Sequence, residues 1–232
     1  EDKCRLREDL GIADLLERDN RGFDFAAWRD GMNWLGFDTL QNSDSLTLMN
    51  DTCFGPLWDL APIYQRFEED PQVDFWGMTN FRKTRYFEEH LQSYFVTFKQ
   101  SVLKDKVFHE FWSQVEDFTD VQDVIDHYET QFTKRFVEAG FRYQATFDTR
   151  QEEAGELVHP DFSYYKPLRI LEAKLPFLKV KALTGNPFLA RYLLEDLESN
   201  SSYPTSLIRK HLFYHFGPDF PCLLQDKYLS QP

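Results

Sequence analysis

Apolar positions along this chain fall into short runs whose spacing switches between helical and extended. Phe25, Trp28, Met32 and Leu35 recur at three- and four-residue steps, which predicts a helix over Phe25 to Leu35. Asp44 to Met49 is short and apolar and reads as a buried strand, ending at the polar Asn50-Asp51-Thr52. Gly55-Pro56 breaks the chain, Leu57 to Phe67 reads as a helix, and Val73 to Met78 as a second strand. A polar, basic loop is expected over Asn80 to Tyr86, then a third strand over Leu91 to Phe98 and a helix over Val102 to Trp112. Asp120 to Ala139 is predicted helical with Gly140 as its cap, and Phe141 to Phe147 extended. Apolar periodicity over Leu168 to Lys181 is broken at Pro176, and the remainder reads as helices punctuated by Asn186-Pro187, Tyr203-Pro204 and Gly217-Pro218. Residues 1–18 are mostly charged, with one short candidate strand at Ala13–Glu17.

Strands alternating with helices up to about residue 150 predict an α/β fold, a mixed sheet flanked by helices. Residues 1–150 are expected to form the core and residues 151–232 a mainly helical extension packed on it.

Composition narrows the function classes. In 232 residues, 42% are hydrophobic, enough to bury a core rather than remain disordered. A net charge of -13 leaves no basic excess to neutralise an extended polyanion, so nucleic acid is not expected as a partner. Cys4, Cys53 and Cys222 are odd in number and widely spaced, which predicts neither a disulfide framework nor a zinc site and fits a reducing cytoplasm. No apolar run reaches the roughly 18 residues of a membrane span. The sequence contains no GxGxxG, GxxxxGK[ST] or GxSxG, so dinucleotide-binding, P-loop and α/β-hydrolase readings have no support.

Four places carry candidate chemistry. Asn50-Asp51 follows a strand, where open α/β sheets bind ligands, and a carboxylate there can ligate a metal on a diphosphate; Asp51 equally fits a turn or helix cap. In the Asp120–Ala139 helix, Val121, Ile125, Tyr128, Phe132 and Phe136 form one stripe, and Glu129 falls inside it. A partly buried carboxylate suits general-base work, while a solvated first-turn glutamate explains the same pattern. His90, with Arg82, Lys83 and Arg85 nearby, offers contacts to a diphosphate or an acceptor hydroxyl, against the reading of a solvated loop. Asn20-Arg21-Gly22-Phe23-Asp24 is a glycine turn leading into a helix, which can present N–H groups to an anion.

Together these blocks resemble a known family. Asn20-Arg-Gly-Phe-Asp-Phe-Ala-Ala-Trp28, Leu46-Thr-Leu-Met-Asn-Asp-Thr-Cys-Phe-Gly-Pro56, Asp74-Phe-Trp-Gly-Met-Thr79, His90-Leu-Gln-Ser-Tyr-Phe95, Phe111-Trp112 and Pro176-Phe-Leu-Lys-Val180 resemble the rhamnan synthesis protein F family, in its order. The resemblance implies a glycosyltransferase that assembles rhamnose-containing surface polysaccharide, on a fold similar to the Rossmann-like GT-A fold. It implies Glu129 as general base of an inverting transfer, and Asn20, Asp24, Asn50 and Asp51 on the donor diphosphate. A divalent cation, Mg2+ or Mn2+, would sit on Asp51, although only one acid of the Asp-x-Asp motif is kept. His90, Gln92, Trp76 and Arg82 would contact acceptor or donor, with Trp28 and Tyr94 offered for sugar stacking. The implied partners are a nucleotide-sugar donor such as dTDP-L-rhamnose and a glycan or lipid-linked glycan acceptor, at the inner face of the cell membrane. The GT-A fold begins with strand–helix units that residues 1–19 do not supply, so these are expected ahead of residue 1, or the base is held differently. A transferase-derived module that only binds a glycan or partner, and a different enzyme such as a sugar-phosphate transferase or a hydrolase with paired carboxylates, are the competing readings.

Overall fold

The computed structural model describes residues 11, 12, 14–152 and 159–220. Cys4, Cys222 and Ala13 lie outside the described residues, and Asp14 to Glu17 forms no regular element. Helix α1 (Phe23–Leu35) buries Phe25, Ala26 and Met32, while Leu35 at its end is exposed. A short α2 (Phe37–Gln41) turns the chain into β1 (Ser45–Met49). After β2 (Cys53–Phe54) comes α3 (Ala61–Glu69), which starts four residues later than the sequence predicts because Pro62 sits in its first turn, where its missing N–H is harmless.

Strand β3 (Phe75–Phe81) is the middle of the sheet. On one side it pairs antiparallel with β4 (His90–Leu91) and β5 (Phe95–Lys99), and β5 pairs antiparallel with β1. On its other side it pairs in parallel with β6 (Tyr143–Phe147), which makes the sheet mixed. β3 continues through Asn80 and Phe81, which the sequence places in a loop; Asn80 is buried with its amide satisfied, Nδ2 donating to Glu89 and Asp148 and Oδ1 accepting from the N–H and hydroxyl of Thr149.

The single strand expected over Leu91 to Phe98 is interrupted. Gly77 faces Val96 and Asn80 faces Leu91, so Met78 and Thr79 stand opposite Gln92, Ser93, Tyr94 and Phe95. Two extra residues bulge out of the ladder there. Bulges re-aim side chains and free backbone groups beside functional sites.

The helix expected over Val102 to Trp112 is two, α4 (Gln100–Leu103) and α5 (Lys106–Ser113), because Asp105 caps the second by accepting from Val107 N–H at 2.8 Å. The Asp120–Ala139 helix is also divided into α6 (Val121–Val124), a π-helical turn (Ile125–Glu129) and α7 (Thr130–Glu138). A π turn rotates everything after it relative to what precedes it. Tyr128, Phe132 and Phe136 therefore face the core, whereas Val121, expected in the same stripe, is 51% exposed.

Side chains alternate across the sheet. Leu48, Phe75, Val96 and Phe98 pack against α1, α5 and α7 on one face. Trp76, Met78 and Phe95 pack on the other against Phe67 of α3 and against Phe162, Ile170, Leu175 and Phe177. The latter come from α8 (Phe162–Tyr165), α9 (Pro167–Glu172) and the segment before β7 (Leu178–Lys179), which pairs antiparallel with β2. Helices α10 (Val180–Thr184), α11 (Pro187–Asn200) and α12 (Thr205–Phe216) follow and close a further apolar cluster around Leu183, Leu193 and Ile208. No helix among the described residues is long and apolar enough to cross a membrane.

Candidate functional site

The end of β1, the start of α1, the β4–β5 bulge, the π turn and the β7–α10 junction meet at one cleft. It has two adjoining compartments. The smaller, about 200 Å3, is lined by Asp24, Asn50, Ser93 and Glu129 among others. The larger, about 650 Å3, is lined by His90, Gln92, Asp161, Tyr164 and Tyr165 among others. Glu129, Ile125, Lys179 and Lys181 line both and mark the junction.

The acids are positioned by specific contacts. Gly22 adopts φ 67°, and a Cβ there would lie 2.4 Å from Ala26 Cβ, so only glycine fits the turn that starts α1. Trp28 Nε1 donates to the Met49 carbonyl at 3.2 Å, and Asn50 Nδ2 donates to Asp24 Oδ2 at 2.8 Å. These two bonds tie the first turns of α1 to the end of β1. Burial pushes the Asp24 carboxyl up, and the charges of Asp51 and Glu129 push the same way, against the lowering effect of the Asn50 amide. Asp24, Asp51 and Glu129 thus share one electrostatic neighbourhood. Asp51 itself is exposed.

Glu129 ends the π turn. Its Oε1 accepts from Ser93 N–H at 3.0 Å, a donor that the bulge takes out of the ladder. Its Oε2 has no partner among the described residues. Such a carboxylate is held by one oxygen and keeps the other free of protein donors, in a residue that lines both compartments.

The larger compartment has its own polar framework. His90 is buried, stacks on Phe81 at 5.0 Å, and its Nδ1 lies 2.9 Å from the Glu88 carbonyl. A carbonyl only accepts, so Nδ1 carries the proton and Nε2 is the basic nitrogen. Gln92 Oε1 accepts from Thr79 Oγ1 at 2.6 Å and lies 2.9 Å from Ser163 Oγ, whose one proton goes to the nearer Asp161 Oδ1. Asp161 is largely buried, which opposes its charge, yet Lys179 together with bonds from Ser163 and Gln92 holds its carboxyl below the usual range. Lys179 Nζ lies 3.4 Å from Asp161 Oδ2 and 5.2 Å from the centre of the Tyr94 ring. Lys181 is exposed and has no partner among the described residues.

Several residues predicted for the site lie elsewhere. Trp76 is fully buried, stacked on Phe67 at 4.7 Å and edge-on to Tyr64 at 5.0 Å, so it presents no face to a ligand. Arg82 donates to the carbonyls of Thr149 and Glu152 and lies over the Phe162 ring; it joins β3 to the segment after β6. Lys83 pairs with Glu88 at the surface and Arg85 lies over Tyr86. Asn20 is exposed and lines neither compartment. Trp28 packs against Phe25 and Trp112, whereas Tyr94, buried under Lys179, does line the smaller compartment. The cations of the cleft are instead Lys179 and Lys181, which sequence reasoning missed. Their signal was two lysines separated by one apolar residue, Lys179 inside the Pro176-Phe-Leu-Lys-Val180 block and Lys181 just after it. Asp161 and Tyr164 carried no such signal. The Tyr164 ring fits against α10 because Gly185 has no Cβ, which would stand 2.2 Å from the Tyr164 hydroxyl.

Comparison with known proteins adds a family. A protein of Sinorhizobium fredii (strain NBRC 101917 / NGR234), "Uncharacterized protein y4gN", is 26% identical over 234 residues, covering 100% of this chain and 58% of that protein. "Virulence protein VirA" of Vibrio anguillarum is 29% identical over 131 residues, covering 55% of this chain and 40% of that protein. The chain therefore spans little more than half the length of the first and its match covers less of the second. No solved structure matches the chain. The family profile described as rhamnan synthesis protein F matches residues 1–232, end to end. With the sequence blocks Asn20–Trp28, Leu46–Pro56 and His90–Phe95 now seen to converge on one cleft, the chain belongs to the rhamnan synthesis protein F family.

Proposed function

We propose that this chain is a glycosyltransferase domain that moves a sugar from a nucleotide-diphosphate donor to a growing surface polysaccharide, with inversion at the anomeric carbon. The observation that carries the reading is Glu129, anchored through Oε1 to Ser93 N–H and lining the junction of two compartments that Lys179 and Lys181 also line. The acceptor oxygen attacks the anomeric carbon while its proton passes to Glu129. The bond from that carbon to the phosphate oxygen breaks, and the nucleoside diphosphate leaves with the electron pair. The family name supports L-rhamnose as the sugar, with dTDP-L-rhamnose as donor and a glycan or lipid-linked glycan as acceptor. A lipid-linked acceptor would bring the protein to the inner face of the membrane. The mixed sheet flanked by helices accords with a GT-A-like reading.

A divalent cation, Mg2+ or Mn2+, fits the residues poorly. Asp24 Oδ2 is engaged by Asn50, Asp51 is exposed, and no group of three or more His, Cys, Asp or Glu among the described residues is disposed to hold a metal ion. No step is derived through one.

Glutamine at position 129 can still accept from Ser93 N–H but takes no proton. General-base assistance is worth roughly a hundredfold to ten-thousandfold. Glu129→Gln is therefore expected to lower turnover at least about a hundredfold, with an unchanged melting profile, in a transfer assay with purified full-length protein. Wild-type turnover in that variant would remove Glu129 as the base.

A further inference from the structure

We infer that Lys179 and Lys181 form the phosphate-binding element of the cleft and take the place of a divalent cation in neutralising the donor diphosphate. The inference rests on the transferase reading for its ligand, but not for its test.

The charges around the cleft decide where a polyanion can sit. Asp24, Asp51 and Glu129 lie close enough that Asp24 feels both of the others, so the end of β1 repels phosphate. The sequence-based assignment of the diphosphate to Asp24, Asn50 and Asp51 meets that repulsion. The two lysines are cations lining both compartments, next to Glu129.

Their settings differ usefully. Lys179 is a fixed cation, with its side chain 17% exposed, held by Asp161 and by the Tyr94 ring. Asp161 balances its charge through Oδ2 but engages only one of its donors, while Asp161 Oδ1 accepts from Ser163 Oγ at 2.6 Å and from Tyr164 N–H at 3.2 Å. The other ammonium protons of Lys179 are left to donate to an anion. Lys181 is exposed and has no side-chain partner among the described residues, and the four-carbon stem of a lysine lets its ammonium follow the phosphate as charge develops on the leaving group. Cations aimed at a leaving group act where negative charge grows during bond breaking. Glu129, Lys179 and Lys181 line one junction, so a proton acceptor for the attacking oxygen and cations for the leaving phosphate belong to the same cleft.

The test uses inorganic pyrophosphate titrated into full-length protein by calorimetry, with EDTA present and again with Mg2+. The expected result is binding in EDTA, weakened roughly tenfold to a hundredfold by Lys181→Gln, the scale of one lost charge-assisted hydrogen bond. Lys179→Gln combined with Asp161→Asn, which avoids leaving a buried carboxylate unpaired, is expected to weaken it as much. Lys166→Gln, an exposed lysine that lines neither compartment, serves as control and is expected to leave binding unchanged. Pyrophosphate affinity unchanged in both cleft variants overturns the inference. So does binding that requires Mg2+, or no binding in either condition. Glu129→Gln separates the two readings, since it is expected to retain pyrophosphate binding and lose transfer. Lysine-dependent binding without any transfer by the wild type would sustain the phosphate site and sink the transferase.

Discussion

Asp24 carries a carboxyl that its surroundings perturb upward, although sequence reasoning gave more weight to Asp51 and Glu129. Position in the first turn of α1 buries it, and two neighbouring acids add repulsion. A carboxyl whose pKa is raised on folding holds its proton more tightly in the folded state, so its ionisation costs stability as pH rises above the ordinary carboxylate range. That cost is full at neutral pH and vanishes once the group is protonated in both states. Asp24→Asn keeps an oxygen for the Asn50 amide and removes the charge. It is expected to raise the melting temperature at pH 7 by roughly 1–3 °C, the effect of a few tenths of a kcal/mol in a domain of this size, with the gain shrinking toward about pH 4. Melting curves across that range check it; a gain that does not depend on pH would exclude the electrostatic cause.

At the scale of elements, the site depends on two irregularities in regular structure. The bulge between β4 and β5 frees Ser93 N–H, and the π turn brings Glu129 to meet it. A third local device is the Gly22 turn, which aims α1 so that Asp24 reaches Asn50. Alanine there must hold φ 67° and bring Cβ to within 3.0 Å of the Asp117 backbone as well as against Ala26. Gly22→Ala is expected to cost about 2 kcal/mol or more, a left-handed backbone penalty plus a steric one. The midpoint of urea unfolding measures it, and a shift of less than about 0.5 kcal/mol would mean the turn relaxes freely.

For the whole molecule, the segment after residue 159 completes the site. Phe177 packs on Tyr94 and Phe95 of the bulge and holds β7 so that Lys179 lies over Tyr94. Phe177→Ala is expected to destabilise the protein by about 3–5 kcal/mol, the usual cost of emptying a buried phenylalanine site. Because the cavity lies beneath the lysine junction, pyrophosphate affinity is expected to fall with it at temperatures where the variant is still folded. Parallel calorimetry and denaturant titration check the pair; lost stability with full affinity would uncouple this packing from the site.

Much was written in local pattern. The α/β alternation, the strand ending at Asn50-Asp51, the buried run at Phe75–Met78 and the amphipathic stretch bearing Glu129 follow from hydrophobic spacing, because burial of one face imposes a period on the chain. Turn chemistry likewise marked Gly22 and Gly140. Only the folded chain decided that Trp76 and Arg82 serve packing and bridging, because an aromatic or an arginine in a motif has the same letters whether it meets a ligand or a core. Tertiary structure also introduced the bulge and the π turn, which come from fitting one element against another rather than from local preference. It brought Lys179 and Glu129, 50 positions apart in sequence, to line one cleft, and no periodicity records a juxtaposition that exists only when distant segments meet.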